Sequence, residues 1–579
     1  MDENAYLVGG KMLADHGSTS LGSYPPSLDA KAGQPALNRH AFVGRMWVGV
    51  DAGTDGERYY PKYPPGLPVL IAGAIKLGGR DLAYWISPFL MSAAILGMYL
   101  VSRQVLATFP AILATLVLGT SPLTLQLSTT PTSHATALFL VVWGMYLLLR
   151  WWRRGSTGQA VLAGLLLGCA VTLRYTEALL ILPIGLVLFF HGRQRHRRLL
   201  PLAVPLLAGW ALPVGLLVLS NLASLGTLTG YDLAHESTAF AWKYFAHNWD
   251  NMLRQLHTGG LFLFFPLGLV GLIAMSWWHW RLALVLLAWA LPGTIVYTAY
   301  YWGPDLSGPE GQVNTEYLRF FLTVLPPLSI SGVWLLVQLG GGAESRAGLR
   351  RKAVLTPLAA AALVALAALH NLSVARNELA ADLGRRLALR MVGQDVIDRV
   401  PAQSLVFCRS PLLLNHLQYA GDYNLCSWDW QLAGGGEAAK PSLSDLACAR
   451  QVLMAESLEA GRRVFCLVPP QAMPEVVRVA DPRSFDIHLL STWALATESG
   501  AERRQDAPLA GRAGARGTLD ATGGSVAAAT TGLRLPRSKR RPTVILQIIE
   551  VRRKPPSGPE DPGASARAPP EHNPPPRRP

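Results

Sequence analysis

The chain has 579 residues, 50% hydrophobic and 15% charged, with 52 Lys and Arg against 37 Asp and Glu for a net charge of +15; its mean hydropathy is +0.25. Soluble domains carry about 25% charged residues. Here the deficit is concentrated between residues 66 and 372, which excludes a water-soluble globular core and indicates a polytopic α-helical membrane protein. The basic excess sits in short loops between apolar runs and in the C-terminal tail, so it reads as a topology signal and a solvated tail rather than as a nucleic-acid surface.

The first stretch, residues 1–64, is polar and rich in Gly and Pro, and it lacks the basic start and apolar run of a signal peptide. It opens on Asp2 and Glu3, with Tyr6 close behind, and closes on Tyr60-Pro61-Lys62-Tyr63-Pro64-Pro65-Gly66. Residues 65–80 form an apolar stretch too short to span, expected to lie at the interface or to lead into the first span.

Ten spans follow, at 81–101, 109–127, 134–150, 159–175, 177–191, 199–220, 259–277, 282–301, 317–338 and 353–372. Each is near the length of roughly 17–25 residues needed to cross a hydrocarbon core. The prolines inside them are tolerated where neighbouring helices satisfy the freed backbone groups. Alternate loops hold Arg103; Arg150, Arg153 and Arg154; Arg193, Arg195, Arg197 and Arg198; Arg281; and Arg346, Arg350, Arg351 and Lys352. By the positive-inside rule these loops are cytoplasmic. The opening segment, the 174–177 corner, the 221–258 and 302–316 loops and everything after 372 then lie outside. Ten spans put both termini outside, and nothing before residue 1 carries the opening segment across; the expectation is that a further transmembrane helix precedes this sequence.

Beyond 372 the pattern changes. Short β-type runs at 404–408, 424–428, 462–468 and 485–495 alternate with helical segments at 411–420 and 443–460, predicting a small extracytoplasmic α/β domain over 373–500. Gly434-Gly435-Gly436 does not have the spacing or context of a dinucleotide loop. Residues 501–579 read as a mostly disordered basic tail with one strand at 543–551. Cys169 lies in a span; Cys408, Cys426, Cys448 and Cys466 fall in the outer region, open to one or two disulfides or to four buried thiols.

The motifs Asp-Glu-x-x-Tyr at the start of the outer region, Tyr/Lys-Pro-Pro before a helix, the small-residue run Ala163-Gly164-Leu165-Leu166-Leu167-Gly168 and Arg-Phe-Phe-Leu-Thr-Val-Leu-Pro-Pro at 319–327 resemble the GT-C membrane glycosyltransferases. More narrowly they resemble the bacterial family 39-type enzymes related to protein O-mannosyltransferases and lipid A aminoarabinose transferases. The resemblance covers residues 1 to about 372. It implies an inverting hexosyl- or pentosyltransferase that takes a sugar from a polyprenyl-phosphate donor to a glycolipid, polysaccharide or protein acceptor, at the outer face of a bacterial inner membrane.

In that reading Asp2 is the general base for the acceptor hydroxyl, against the alternative of a solvated carboxylate. Glu3 positions the acceptor, helps hold a metal, or faces solvent. Lys62, Tyr63, Arg174, Arg319 and His134 are the candidates for the donor and its phosphate. In the related aminoarabinose transferases the Lys directly precedes Pro-Pro; here Tyr63 stands in that place. Lys62 also reads as an interfacial snorkelling residue, and Arg174 as the partner of Glu177. Asp55 and Glu57 read as surface charges. Asp232, His235 and Glu236 lack a metal-diagnostic spacing, so a divalent metal remains open without a firm ligand set. Membrane lipids are the remaining partner. The rival readings are a transporter or lipid flippase, which would show inverted repeats and charges at mid-span, and an assembly protein whose outer domain binds a partner.

Overall fold

A computed structural model describes residues 2–21, 47–51, 57–195, 199–229, 240–300, 315–341, 349–428, 443–480, 485–495 and 543–554. The opening segment is not simply a loop. It begins with helix α1 (Asp2–His16), which buries Ala5, Tyr6, Leu7 and Val8. Two glycines follow in the sequence, and Gly10 lets α1 approach the next helix closely, since a Cβ there would collide with Ile71. A two-stranded antiparallel ribbon, β1 (Trp47–Asp51) and β2 (Glu57–Pro61), precedes that helix, α2 (Gly66–Gly78).

The bundle contains α3 (Ile86–Ser102), α4 (Thr108–Gly119), α5 (Pro122–Ser128), α6 (Ser133–Arg154), α7 (Thr157–Val171), α8 (Ile181–Arg195), α9 (Leu199–Leu225), α10 (Trp242–Gln255), α11 (Phe264–Trp278), α12 (Trp280–Thr298), α13 (Leu325–Gly341) and α14 (Leu349–Arg399). Among the described residues, seven helices are long and apolar enough to cross a membrane, or up to nine if each of two bent pairs is one span. The pair α4 and α5 bends by 65° where Pro122 opens α5 and Ser121 before it is extended. The chain from Trp242 to Leu261 meets α11 at 104°. Its last turn, Leu256–Leu261, is a π-helix, and Phe262 beyond it has φ +51°. Helix α7, of 15 residues, packs on α9 through Gly164 and Gly168, where a Cβ would strike the backbone of Leu206 or Trp210; small residues four apart allow such close backbone approach.

The ends of the bundle differ. At one end Arg153 bonds the Gln104 carbonyl, Trp152 Nε1 donates to Gln194 at 3.1 Å, and Phe190 packs on Trp280. These are the Arg-rich loops. The opposite end carries α1, the 174–177 corner and the α/β domain. Helix α14 links the two: its 51 residues extend about 76 Å, well past residue 372 where the apolar composition stops. Its polar half is held by Arg386–Asp382 at 2.6 Å and Arg399–Asp395 at 2.7 Å, both one turn apart.

The α/β domain contains β3 (Leu405–Cys408), α15 (Pro411–Ala420), β4 (Asn424–Ser427), α16 (Leu443–Glu459), β5 (Val464–Val468), α17 (Met473–Ala480), β6 (Phe485–Leu495) and β7 (Thr543–Arg553). The sheet order is β4-β3-β5-β7-β6. Strands β4, β3 and β5 are parallel; β7 runs antiparallel between β5 and β6. β3 and β5 are buried at every position, as continuous apolar runs in a covered parallel sheet should be. The strand at 543–551, assigned above to the tail, is therefore an interior strand of the domain. All five cysteines are free thiols; Cys408, Cys426 and Cys466 are buried in neighbouring strands, and Cys448 is exposed.

Candidate functional site

The site is assembled where α1, α2, α6 and the two 3₁₀ segments Tyr175–Leu180 and Arg319–Val324 meet. Asp2 and Glu3 form the first turn of α1; their side chains lie outside the described residues. Tyr6, one turn later on the same face as Asp2, is buried. Its hydroxyl lies 3.0 Å from Ser133 Oγ, and its ring stacks on Tyr63 with centroids 5.1 Å apart. Lys62 Nζ lies 5.3 Å from the centroid of the same Tyr63 ring. The Pro-Pro-Gly element thus brings Lys62 and Tyr63 to α1.

Gly66 completes this approach. Its N–H donates to the Thr172 carbonyl at 2.9 Å, and a Cβ there would sit 2.5 Å from that oxygen. Two residues beyond Thr172 stands Arg174, only 6% exposed. Arg174 Nη2 donates to Tyr297 Oη at 2.6 Å and to the Phe320 carbonyl at 3.4 Å. Nη1 lies 3.6 Å from Glu177 Oε1. The guanidinium also lies 5.3 Å from the ring centroids of both Tyr297 and Phe320. Glu177 accepts from Thr323 Oγ1 at 3.1 Å, and Thr176 shares a hydrogen bond with Tyr297.

Phe320 is the common wall. Arg319 lies 4.9 Å from its centroid, and His134 meets it edge-on at 5.4 Å. His134 is 4% exposed, is within electrostatic reach of Arg174 and Arg319 and hydrogen-bonds the Arg319 backbone. Its Nδ1 is buried with no hydrogen-bond partner among the described residues. Buried polar atoms are normally satisfied, so such an atom fits a place where a ligand group arrives.

The five donor-side candidates Lys62, Tyr63, His134, Arg174 and Arg319 therefore share one neighbourhood. Among the described side chains, three cations stand there against the single carboxylate of Glu177. The Arg174–Glu177 pair anticipated as an alternative does form, at a separation that leaves the guanidinium fork oriented chiefly by Tyr297 and Phe320. Tyr6, Ser133, Tyr297, Phe320 and Thr323 were not singled out as site residues. Tyr6 had a local signal in the Asp-Glu-x-x-Tyr motif, and Phe320 and Thr323 in the motif at 319–327; Ser133 and Tyr297 had none. Asp55, Asp232, His235 and Glu236 lie outside the described residues, as does the side chain of Glu57. Among the described residues no group of three His, Cys, Asp or Glu side chains is placed to hold a metal ion.

Residues 62–223, which include the Lys62 element, His134 and Arg174, match the sequence family described as dolichyl-phosphate-mannose-protein mannosyltransferase. No curated protein matches the chain. Among solved structures, an apo ArnT from Cupriavidus metallidurans aligns with a TM-score of 0.46 at 13% identity, over 86% of this chain and 91% of that one. The Archaeoglobus fulgidus oligosaccharyltransferase tethered to an acceptor peptide aligns with a TM-score of 0.45 at 12% identity, over 83% of this chain and 66% of that one.

Proposed function

We propose that this chain is a GT-C membrane glycosyltransferase, a reading supported by the match of residues 62–223 to the dolichyl-phosphate-mannose-protein mannosyltransferase family, and that it transfers a hexose or pentose with inversion from a polyprenyl-phosphate donor to an acceptor hydroxyl. The observation that carries this reading is the placement of Arg174 and Arg319 against Phe320, with Lys62 on the Tyr63 ring that stacks on Tyr6 and Glu177 the one carboxylate among the described side chains there. Arg174 is buried with its Nη1 in no hydrogen bond among the described residues, and a lipid phosphate at the rim of a bundle would supply an acceptor there. An Arg fork already oriented by Tyr297 and the Phe320 carbonyl is preorganised for phosphate oxygens.

The acceptor oxygen attacks the anomeric carbon through an oxocarbenium-like transition state. The bond from that carbon to the phosphate oxygen breaks, and its electron pair leaves on the polyprenyl phosphate, held by Lys62, Arg174 and Arg319. The acceptor proton passes to the carboxylate of Asp2, carried by α1 one turn above Tyr6. His134, hydrogen-bonded through its other nitrogen, offers Nδ1 as an acceptor for a sugar or acceptor hydroxyl. With the Arg-rich end cytoplasmic, the reaction takes place at the outer, periplasmic face of an inner membrane, and the acceptor is a glycolipid, polysaccharide or protein. The test is transfer of radiolabelled sugar from a polyprenyl-phosphate donor. Asp2→Asn should abolish transfer at normal expression, and full activity in that variant would remove Asp2 from the mechanism.

A further inference from the structure

Lys11 lies on α1 nine residues after Asp2, about 13 Å along the helix axis, far from the reacting groups. It is nevertheless only 6% exposed, which is rare for a Lys that is not fully partnered. Its ammonium donates to the carbonyls of Gly421 at 2.6 Å and Gln418 at 3.3 Å, and pairs with Asp422 at 2.8 Å. Arg80, at the entry to the first span, takes the two intervening carbonyls: Ala420 at 2.8 Å and Tyr419 at 3.4 Å. Tyr419 returns a hydrogen bond from its hydroxyl to the Arg80 carbonyl at 2.7 Å.

Two cations from the membrane half thus cap four consecutive carbonyls at the C-terminal end of α15. Those carbonyls have no partners within their own helix and carry the negative end of its dipole. The joint connects segments more than 300 residues apart. On its other side α1 is pressed against α2, with Gly10 over Ile71. α1 is therefore clamped between α2 and the outer α/β domain.

We propose that Lys11 is a positioning residue through which the α/β domain holds α1, so that docking of that domain sets turnover without setting donor affinity. This rests on α1 presenting the base as read above. Of the donor-phosphate groups, Arg174 and Arg319 belong to the bundle and Lys62 to the link between β2 and α2; none is on α1. If the tie is cut, Asp422 turns to water, where it is already 55% exposed, and α1 loses its hold on the domain. The base then drifts while the phosphate site stays formed.

The experiment uses the full chain in lipid nanodiscs with Lys11→Met, Lys11→Arg and Asp422→Asn. Steady-state kinetics are measured with a polyprenyl-phosphate sugar, and amide hydrogen exchange is followed across residues 5–16. A misplacement near 1 Å costs on the order of 100-fold in rate. Lys11→Met should lower kcat about 10- to 100-fold, leave the donor KM within about twofold, and speed exchange in α1 but not in α2. Lys11→Arg should restore most of the rate. Asp422→Asn, at an exposed residue that folding tolerates, should show the same pattern more weakly. Unchanged kcat, equal losses in kcat and donor affinity, or unchanged exchange in α1 would each overturn the proposal. A wild-type protein that transfers no sugar would instead defeat the transferase reading, and exchange in α1 would still decide whether Lys11 ties the helix.

Discussion

Replacing Arg174 separates its structural work from its chemical work. Arg174→Met leaves Glu177, itself 5% exposed, buried without its cation. Breaking a buried pair in this way costs about 3–5 kcal/mol, so loss of activity in that variant alone proves little. Arg174→Lys keeps the charge but loses the fork. Its bonds to Tyr297 at 2.6 Å and to the Phe320 carbonyl at 3.4 Å, donated by a charged group, are worth up to about 1.5–3 kcal/mol each. A charge-assisted contact to the donor phosphate is worth about 1.5–3 kcal/mol. Loss of that contact corresponds to roughly a 10- to 100-fold weaker donor Kd.

The decisive comparison adds Arg174→Met/Glu177→Gln, which removes both charges and should recover most of the thermal stability lost in Arg174→Met. The assay is competition binding of polyprenyl phosphate to purified protein, alongside thermal unfolding of each variant. The expected order for donor affinity is wild type well above Arg174→Lys, with both Met variants weakest whatever their stability. Wild-type donor affinity in the stable double variant would refute the assignment of Arg174 to the phosphate.

Gly66→Ala should cut transfer at least about tenfold, because its Cβ would press on the Thr172 carbonyl and part Lys62 from Arg174; Gly73→Ala, with nothing within 4 Å of its Cβ, should be neutral, and equal behaviour of the two would count against the close contact. Maleimide should label Cys448 alone in the native protein: burial pushes the Cys426 thiol up to about 12 and raises Cys466 as well, so comparable labelling by mass spectrometry at all four outer cysteines would contradict the sheet. Asp422 is held below the ordinary carboxylate range, chiefly by the hydrogen bond from Lys11, against partial burial and with help from Arg80. Its contribution to the joint is then fully present above that range and lost only as pH falls through the lowered value; amide exchange in α1 should be constant from about pH 5 to 7 after correction for intrinsic rates, and a loosening centred near neutrality would contradict this.

Much of the bundle was legible because a hydrocarbon core imposes length and composition on each span. The bends were less so. Pro122 announces the break at the start of α5, but nothing local marks Phe262 for a positive φ. Helix α14 was cut short at 372 because apolar composition ends there, although Asp382–Arg386 and Asp395–Arg399 keep the four-residue period. In the site, Arg174 and His134 were visible as ionisable groups at span ends. Tyr297 was not, because it reaches Arg174 from 123 residues away and resembles any aromatic in an apolar run; Phe320 stood in the motif at 319–327, but its contact with Arg174 spans 146 residues. Lys11 carries no signal in the sequence; its role exists only through α15.

The placement of β7 bears on how the outer domain comes into being. Among the described residues β6 pairs with β7 alone, and β7 also covers the open side of β5. Until residues 543–553 arrive, β5 and β6 present bare edges that invite wrong pairing. The pairing of β5 with β7 closes a loop of about 80 residues, a slow non-local step. Among the described strands the one made last is thus the one that seals the sheet, and a chain without residues 543–553 would carry the whole site but an unfinished domain to hold it.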